Sequence, residues 1–342
     1  MKGWGVRAAR RRHCATLLAT LLVSACDKQA AWGDATSIIV AASPDLWSRV
    51  ADTVQAALEP RVHTVRDERI FQLTYQDPAE AAWGNLRRFK QLLLIGSPEE
   101  AWLAPALNGL PSAPEPPALL QLHDVWARDQ LVTWLVLPRG GAADAVPGLL
   151  SELQALYERQ FRDWAVARMF LTGGNAALAD TLRQDAGFEL ILPAVYEWRR
   201  QDSVYVFRND NPDPSQLIRE VVVTWRSPIP SAVSAEDLVA WRGQLAQAYY
   251  AYPQVVDSAQ LEAGSLQLGG SAARGVSGVW SNPPASGWPA AGPFLLRAVP
   301  CPAQDRLYLL DGWLYAPGRE KYEFVIQLET LIDSFRCGGG PA

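Results

Sequence analysis

The sequence predicts an α+β protein of two similar lobes, each a mixed, mostly antiparallel sheet packed by long amphipathic helices. Three observations predict it. Short runs rich in Val, Ile, Leu and aromatic residues mark about four strands in each half. Between them lie segments with apolar residues at helical spacing and with clear start and stop signals. Each half also closes on a strand, a turn containing Pro and Gly, and a helix: residues 135–141 (LVLPRGG) precede one long helix and residues 314–320 (LYAPGRE) precede the last.

Residues 37–42 read as a buried strand. Ser43-Pro44-Asp45 places an N-cap and a proline at the first helical position, and Pro60 stops that helix. Residues 69–76 alternate like a half-buried strand, 78–90 read as a helix weakened by Gly84-Asn85, and 91–95 as a short strand. Ser97 and Glu100 form a capping box, 104–117 is a proline-rich loop, and 130–137 is a strand. The longest helix spans about 147–171, with Leu149, Leu153, Leu156, Tyr157, Phe161 and Trp164 on its apolar face. Asn175 caps a second helix that Gly187 ends. In the second half, strands are expected at 188–192, 203–207, 217–225 and 276–280. A helix opens at the Ser234 capping box, 293–299 pairs with 306–315 as a hairpin, and 320–335 is the last helix.

The first 25 residues read as a targeting signal. Lys2, Arg7, Arg10, Arg11 and Arg12 form a basic start without acidic residues, and residues 15–25 are an apolar stretch too short to span a bilayer, which needs ~18 or more. The stretch ends in Val23-Ser24-Ala25-Cys26, the lipobox pattern, in which the cysteine thiol accepts a diacylglycerol thioether. The expected chain is therefore a signal at 1–25 that is removed, lipidation of Cys26, a polar tether at 26–35, lobes at 36–187 and 188–336, and a tail at 337–342. Two or three acyl chains hold such a protein on its membrane, since each buried methylene contributes about 0.8 kcal/mol. The expected location is a membrane-anchored lipoprotein facing the periplasm, with inner and outer membrane both open.

Removing the leader leaves 26 Lys and Arg against 36 Asp and Glu. A net charge of −10 argues against nucleic acid as a partner, because phosphates demand basic patches. Only Lys28, Lys90 and Lys321 remain as lysines, so lysine-dependent catalysis has few candidates. Beyond Cys26 the cysteines are Cys301 and Cys337, a candidate disulfide in an oxidising compartment, with two free buried thiols as the alternative. A bridge would close a loop of about 36 residues and stabilise the fold by ~4 kcal/mol.

A set of short motifs runs along the chain: Gly278-Val279-Trp280, Gly292-Pro293-Phe294, residues 312–318 (GWLYAPG) and 326–329 (IQLE). Supporting them are residues 38–40 with Trp47, 124–127 with Gln130, and 192–193 with Tyr196. In their order and spacing they resemble the domain of unknown function 4837 family, lipid-anchored proteins of Bacteroidetes-type bacteria. Ala291 departs from the pattern, standing where the family has a first glycine, and Pro300-Cys301-Pro302 and Cys337 are peculiar to this chain. The resemblance implies an envelope location and an α+β fold, and it supplies no catalytic residues.

Several motifs that carry chemistry elsewhere fail here. Asn209, Asn211, Asp213 and Glu220 have the spacing of a calcium loop, but Pro214 occupies the position that needs glycine, so a polar turn between strands is expected. His63 and His123 stand in no zinc-type cluster, and neither a serine-nucleophile elbow nor a P-loop occurs, so no metal or cofactor is expected. Of 13 tryptophans beyond the leader most read as core, but Trp280 and Trp288 bracket a Pro/Gly-rich loop followed by Phe294. Two functions stay open. The first is a non-catalytic binding or assembly factor that contacts an envelope protein or glycan through Trp280, Trp288 and Phe294. The second is a glycan-directed envelope hydrolase using an unrecognised carboxylate pair.

Overall fold

The computed structural model describes residues 28–338, apart from 109 and 141. The signal at 1–25 and the lipidation site Cys26 lie outside the described residues.

The first body is built on β1 (Ser37–Ala41), α1 (Pro44–Leu58), a small ribbon of β2 (Arg61–His63) and β3 (Asp67–Arg69), β4 (Gln72–Gln76), the one-turn α2 (Trp83–Leu86), β5 (Gln91–Gly96), the one-turn α3 (Ala104–Leu107), β6 (Ala118–His123), β7 (Leu131–Val136) and α4 (Leu150–Met169). Its sheet has the order β4-β1-β5-β7-β6. β1 runs parallel to β4 and β5, and β5 runs parallel to β7; only the edge strand β6 is antiparallel.

The α+β class holds. The expectation of a mostly antiparallel sheet fails in this body, and with it the similarity of the two lobes. The cause is the crossover from β1 through α1, which returns the chain to the same end of the sheet. Its central strands are apolar on both faces, as parallel strands are when helices cover both sides. Every residue of β5 is buried. One face packs Ile38, Val40, Leu93 and Ile95 under α1 and α4; the other packs Leu92, Leu94 and Trp134 against Trp83, Leu103 and Ala106.

The helix expected over 78–90 shrinks to a single turn. Asp77 caps Ala79 N–H at 2.9 Å, which sets a turn, and Gly84 weakens helix formation after it. The tether also differs. Residues 28–35 lie along the first body, where Ala31 N–H donates to the Arg128 carbonyl (2.8 Å) and Trp32 packs on Phe89 with ring centroids 4.0 Å apart. Trp32 thus buries part of its ring at the cost of ordering the segment.

The second body comprises α5 (Ala176–Asp185), β8 (Phe188–Glu189), β9 (Glu197–Gln201), β10 (Val204–Asn209), β11 (Ile218–Arg226), α6 (Ala235–Tyr249), β12 (Val255–Val256), β13 (Glu262–Leu268), β14 (Ser271–Ser281), β15 (Ala291–Cys301), β16 (Arg306–Tyr315), α7 (Tyr322–Asp333) and β17 (Arg336–Cys337). Its eight-stranded sheet is antiparallel throughout, in the order β12-β14-β15-β16-β11-β10-β9, with β13 also on β14. Helices α5 and α7 cover one face around Phe188, Tyr308 and Phe335; α6 covers the other around Trp241, Trp280 and Trp313. Both halves of the Ser234 capping box form, and Asn175 accepts from Leu178 N–H as expected.

Helix α7 joins the bodies. Ile326 enters the core of the first, while Leu328, Leu331 and Ile332 belong to the second. Arg162 to Glu329 (2.9 Å) and Lys321 to Glu68 (3.4 Å) pair across the junction. Cys301 and Cys337 are bonded, with Cα atoms 5.8 Å apart. Cys337 therefore does not open a tail: β17 pairs with β8, and Gly338 N–H donates to the Gly187 carbonyl at 2.9 Å. No helix among the described residues is long and apolar enough to cross a membrane.

Candidate binding site

A cavity of about 350 Å³ opens on the α6 side of the second sheet, near the ends of β11, β14 and β16. Five aromatic rings line it: Tyr252, Trp280, Trp288, Trp313 and Tyr315. Register explains how the strands deliver them. Gly292 pairs with Trp280 and Phe294 with Trp313, so β14, β15 and β16 bring their aromatic residues to one end of the sheet. A Cβ at position 292 would stand 1.7 Å from the Leu314 carbonyl oxygen and 2.9 Å from Trp280 Nε1. Glycine there lets β15 pass close enough for Trp280 Nε1–H to donate to that carbonyl at 3.1 Å.

The expected site residues separate. Trp280 is 1% exposed and Phe294 is fully buried, so neither is a projecting loop aromatic. Trp280 forms the inner wall, edge-on to Trp313 at 5.5 Å, whereas Phe294 lies under α6 with the Arg242 guanidinium 4.4 Å above its ring. Trp288 is 42% exposed and stands at the mouth, edge-on to Tyr252 (5.8 Å) and Tyr315 (6.4 Å). Asn282 Nδ2–H donates to the Trp288 carbonyl at 3.0 Å and fixes the loop that carries it.

The polar side of the mouth is Asp213-Pro214-Ser215, within the turn between β10 and β11 that carries the failed calcium spacing. Asp213 accepts from Ser215 N–H at 2.8 Å. Hydrogen bonds from the Ser215 side chain and backbone hold the Asp213 carboxyl below its ordinary range. Behind the inner wall, Trp313 Nε1–H donates to Glu220 Oε1 at 3.1 Å, and Arg208 lies 3.4 Å from Glu220 Oε2. Burial lifts the Glu220 carboxyl to about 7, while Arg208 and Trp313 pull it back. A second buried pair lies on the same face: Arg242 Nε stands 3.0 Å from Asp311, which also accepts from the Tyr250 hydroxyl. Burial raises the Asp311 carboxyl, and Arg242 opposes that rise.

Sequence reasoning found the loop that carries Trp288 and missed Tyr252, Trp313, Tyr315 and Asp213. Trp313 and Tyr315 sit at the end of β16 and read as core, Tyr252 lies in the loop after α6, and only the folded arrangement shows that they converge. Among the described residues no cluster of His, Cys, Asp and Glu could hold a metal ion.

Residues 175–334 match a sequence family described as a domain of unknown function, DUF4837. Three solved structures are similar to the chain at low levels. The Ran-binding protein Mog1p of Saccharomyces cerevisiae has 10% identity, covers 45% of this chain and 91% of its own, and gives a TM-score of 0.31. Cyanobacterial PsbP of Synechocystis sp. PCC 6803 has 15% identity, coverage of 44% and 86%, and a TM-score of 0.28. LpqN of Mycobacterium tuberculosis, involved in cell envelope biogenesis, has 13% identity, coverage of 44% and 83%, and a TM-score of 0.28. No curated protein matches the chain.

Proposed function

We propose, from the premise that residues 175–334 are a DUF4837 domain, that this protein is a non-catalytic binding module of the cell envelope whose aromatic cavity holds a sugar ring of an envelope glycan. The observation that carries the reading is the convergence of five rings, with Trp288 half-exposed at the mouth and Asp213 and Ser215 opposite. The C–H face of a pyranose is weakly electropositive and fits the negative face of an indole. Its hydroxyl edge needs a few placed acceptors and donors, which a carboxylate and a serine provide.

The carboxylates nearby are not arranged for glycoside hydrolysis, which needs two carboxyls flanking one bond. Glu220 is buried behind Trp313 and engaged by Arg208, and Asp213 is held by Ser215. The envelope location rests on the lipobox at Cys26.

The test is titration of the full chain with soluble peptidoglycan fragments, followed by tryptophan fluorescence. Saturable change in the wild type and its loss in Trp288→Ala are expected. Equal binding by both proteins, or binding by neither, would overturn the reading.

A further inference from the structure

A second cavity, of about 330 Å³, lies where the end of α4 meets the second body, and its chemistry is opposite to that of the aromatic pocket. Three arginines reach it from separate elements: Arg168 from the last turn of α4, Arg219 from β11 and Arg319 from the loop before α7. One carboxylate, Glu323, faces them; its oxygen lies 3.5 Å from Arg168 Nε and also accepts from Gln327 at 3.1 Å. Arg219 is held in place by Gln327 (3.2 Å) and the Asn211 carbonyl (3.3 Å), yet its Nε is buried without a partner. Burial, with the like charges of Arg168 and Arg319, depresses the Arg219 guanidinium below its ordinary value. Three cations against one carboxylate is a local excess of positive charge in a strongly acidic protein, and a buried donor without an acceptor is costly unless a ligand supplies one.

Beside this cavity the chain exposes aliphatic side chains. Leu171 (82% exposed) and Val195 line it, and Ile191 stands exposed on the neighbouring loop. The two loops are tied, since Ala194 N–H donates to the Gly173 carbonyl at 2.9 Å and Asn175 N–H to the Leu192 carbonyl at 2.8 Å. Exposed leucine and valine beside a cationic hollow match a ligand with an anionic head and an apolar continuation.

We infer that Arg168, Arg219 and Arg319 form a binding site for a phosphate group, taken either from a free phosphate ester or from a phospholipid headgroup whose chains run past Leu171 and Val195. Phosphate is chosen over carboxylate by geometry. A planar carboxylate is satisfied by one or two guanidinium forks, whereas a tetrahedral phosphate offers oxygens to donors arriving from three directions.

The experiment is calorimetric titration of the full chain with inorganic phosphate and with monomeric dihexanoyl phosphatidylglycerol. Arg168 and Arg319 are both exposed, so Arg168→Gln and Arg319→Gln keep the fold, and each is expected to weaken binding about tenfold. Lipid binding at least tenfold tighter than phosphate, with the excess removed by Leu171→Ser, supports the headgroup source. Equal affinities, both falling in the arginine variants, support the free ester. Absence of saturable binding by either probe, or binding that neither arginine variant weakens, overturns the site.

Discussion

The two sheets divide the work of the molecule differently. The strands of the first bury no ionisable side chain, and apart from Gln76, Gln91 and Thr133 the side chains they bury are aliphatic or aromatic. The second sheet buries Glu220 on β11 and Asp311 on β16, answered by Arg208 from β10 and Arg242 from α6. Buried charge is expensive and contributes little net stability even when paired. Its concentration in one sheet therefore points to a positioning role: Glu220 fixes the Trp313 indole, and the Tyr250 ring stacks on Trp313 at 5.8 Å while its hydroxyl is held by Asp311.

Removing one side of the deeper pair tests this contrast most severely. Arg242→Met leaves Asp311 buried without its counter-charge and should lower stability by about 3–5 kcal/mol in chemical denaturation. Arg242→Met combined with Asp311→Leu should recover most of that loss; no recovery would mean that Arg242 acts mainly through its packing on Phe294. Next in size is the Cys301–Cys337 bridge. Its removal by Cys337→Ser should cost about 4 kcal/mol in the chain-entropy account, read as a shift in the denaturation midpoint that a reductant reproduces in the wild type.

A pH comparison separates the sheets more finely. Glu220 ionises near 4.5 when unfolded and near 7 when folded. Between those values the folded protein holds a proton that the unfolded chain has released, so stability falls as pH rises from about 4.5 to 7. The loss amounts to about 3 kcal/mol. Urea midpoints measured at pH 5 and pH 8 should show this slope, and Glu220→Gln should flatten it. Leu93→Ala in the first sheet should lower stability by about 3 kcal/mol and leave the slope unchanged. The smallest structural effect belongs to Trp288→Ala at the cavity mouth. It should alter the midpoint by less than about 1 kcal/mol while abolishing glycan-dependent fluorescence change.

Legibility in the sequence followed burial. Helices α1, α4, α5 and α6 announced themselves because each joins an apolar face to a cap or a stop; α7 did so by its apolar spacing alone, although it turns faces to both bodies, and the β15–β16 hairpin by two long apolar strands. Edge strands were silent. All five residues of β9 are exposed, and β13 is exposed along most of its length, so neither leaves an alternating pattern to read. Strand direction in the first sheet was written in QLLLIG, whose unbroken apolar run is the mark of a parallel strand covered on both faces. Of the aromatic cavity, only the proline-rich loop around Trp288 stood out. Trp313 and Tyr315 look like core in any one-dimensional reading, because their convergence with Tyr252 depends on pairings between strands far apart in the chain.

Helix α7 has a consequence for the order in which the molecule can be made. Ile326, on this last helix, completes the core of the body whose first strand begins at Ser37. During synthesis from the N-terminus, the first sheet can pair its strands early, but its hydrophobic interior stays open until α7 has been delivered. A nascent chain stalled at residue 320 should therefore remain sensitive to protease in both halves, and protection should arrive for the two together once residues 322–333 are added.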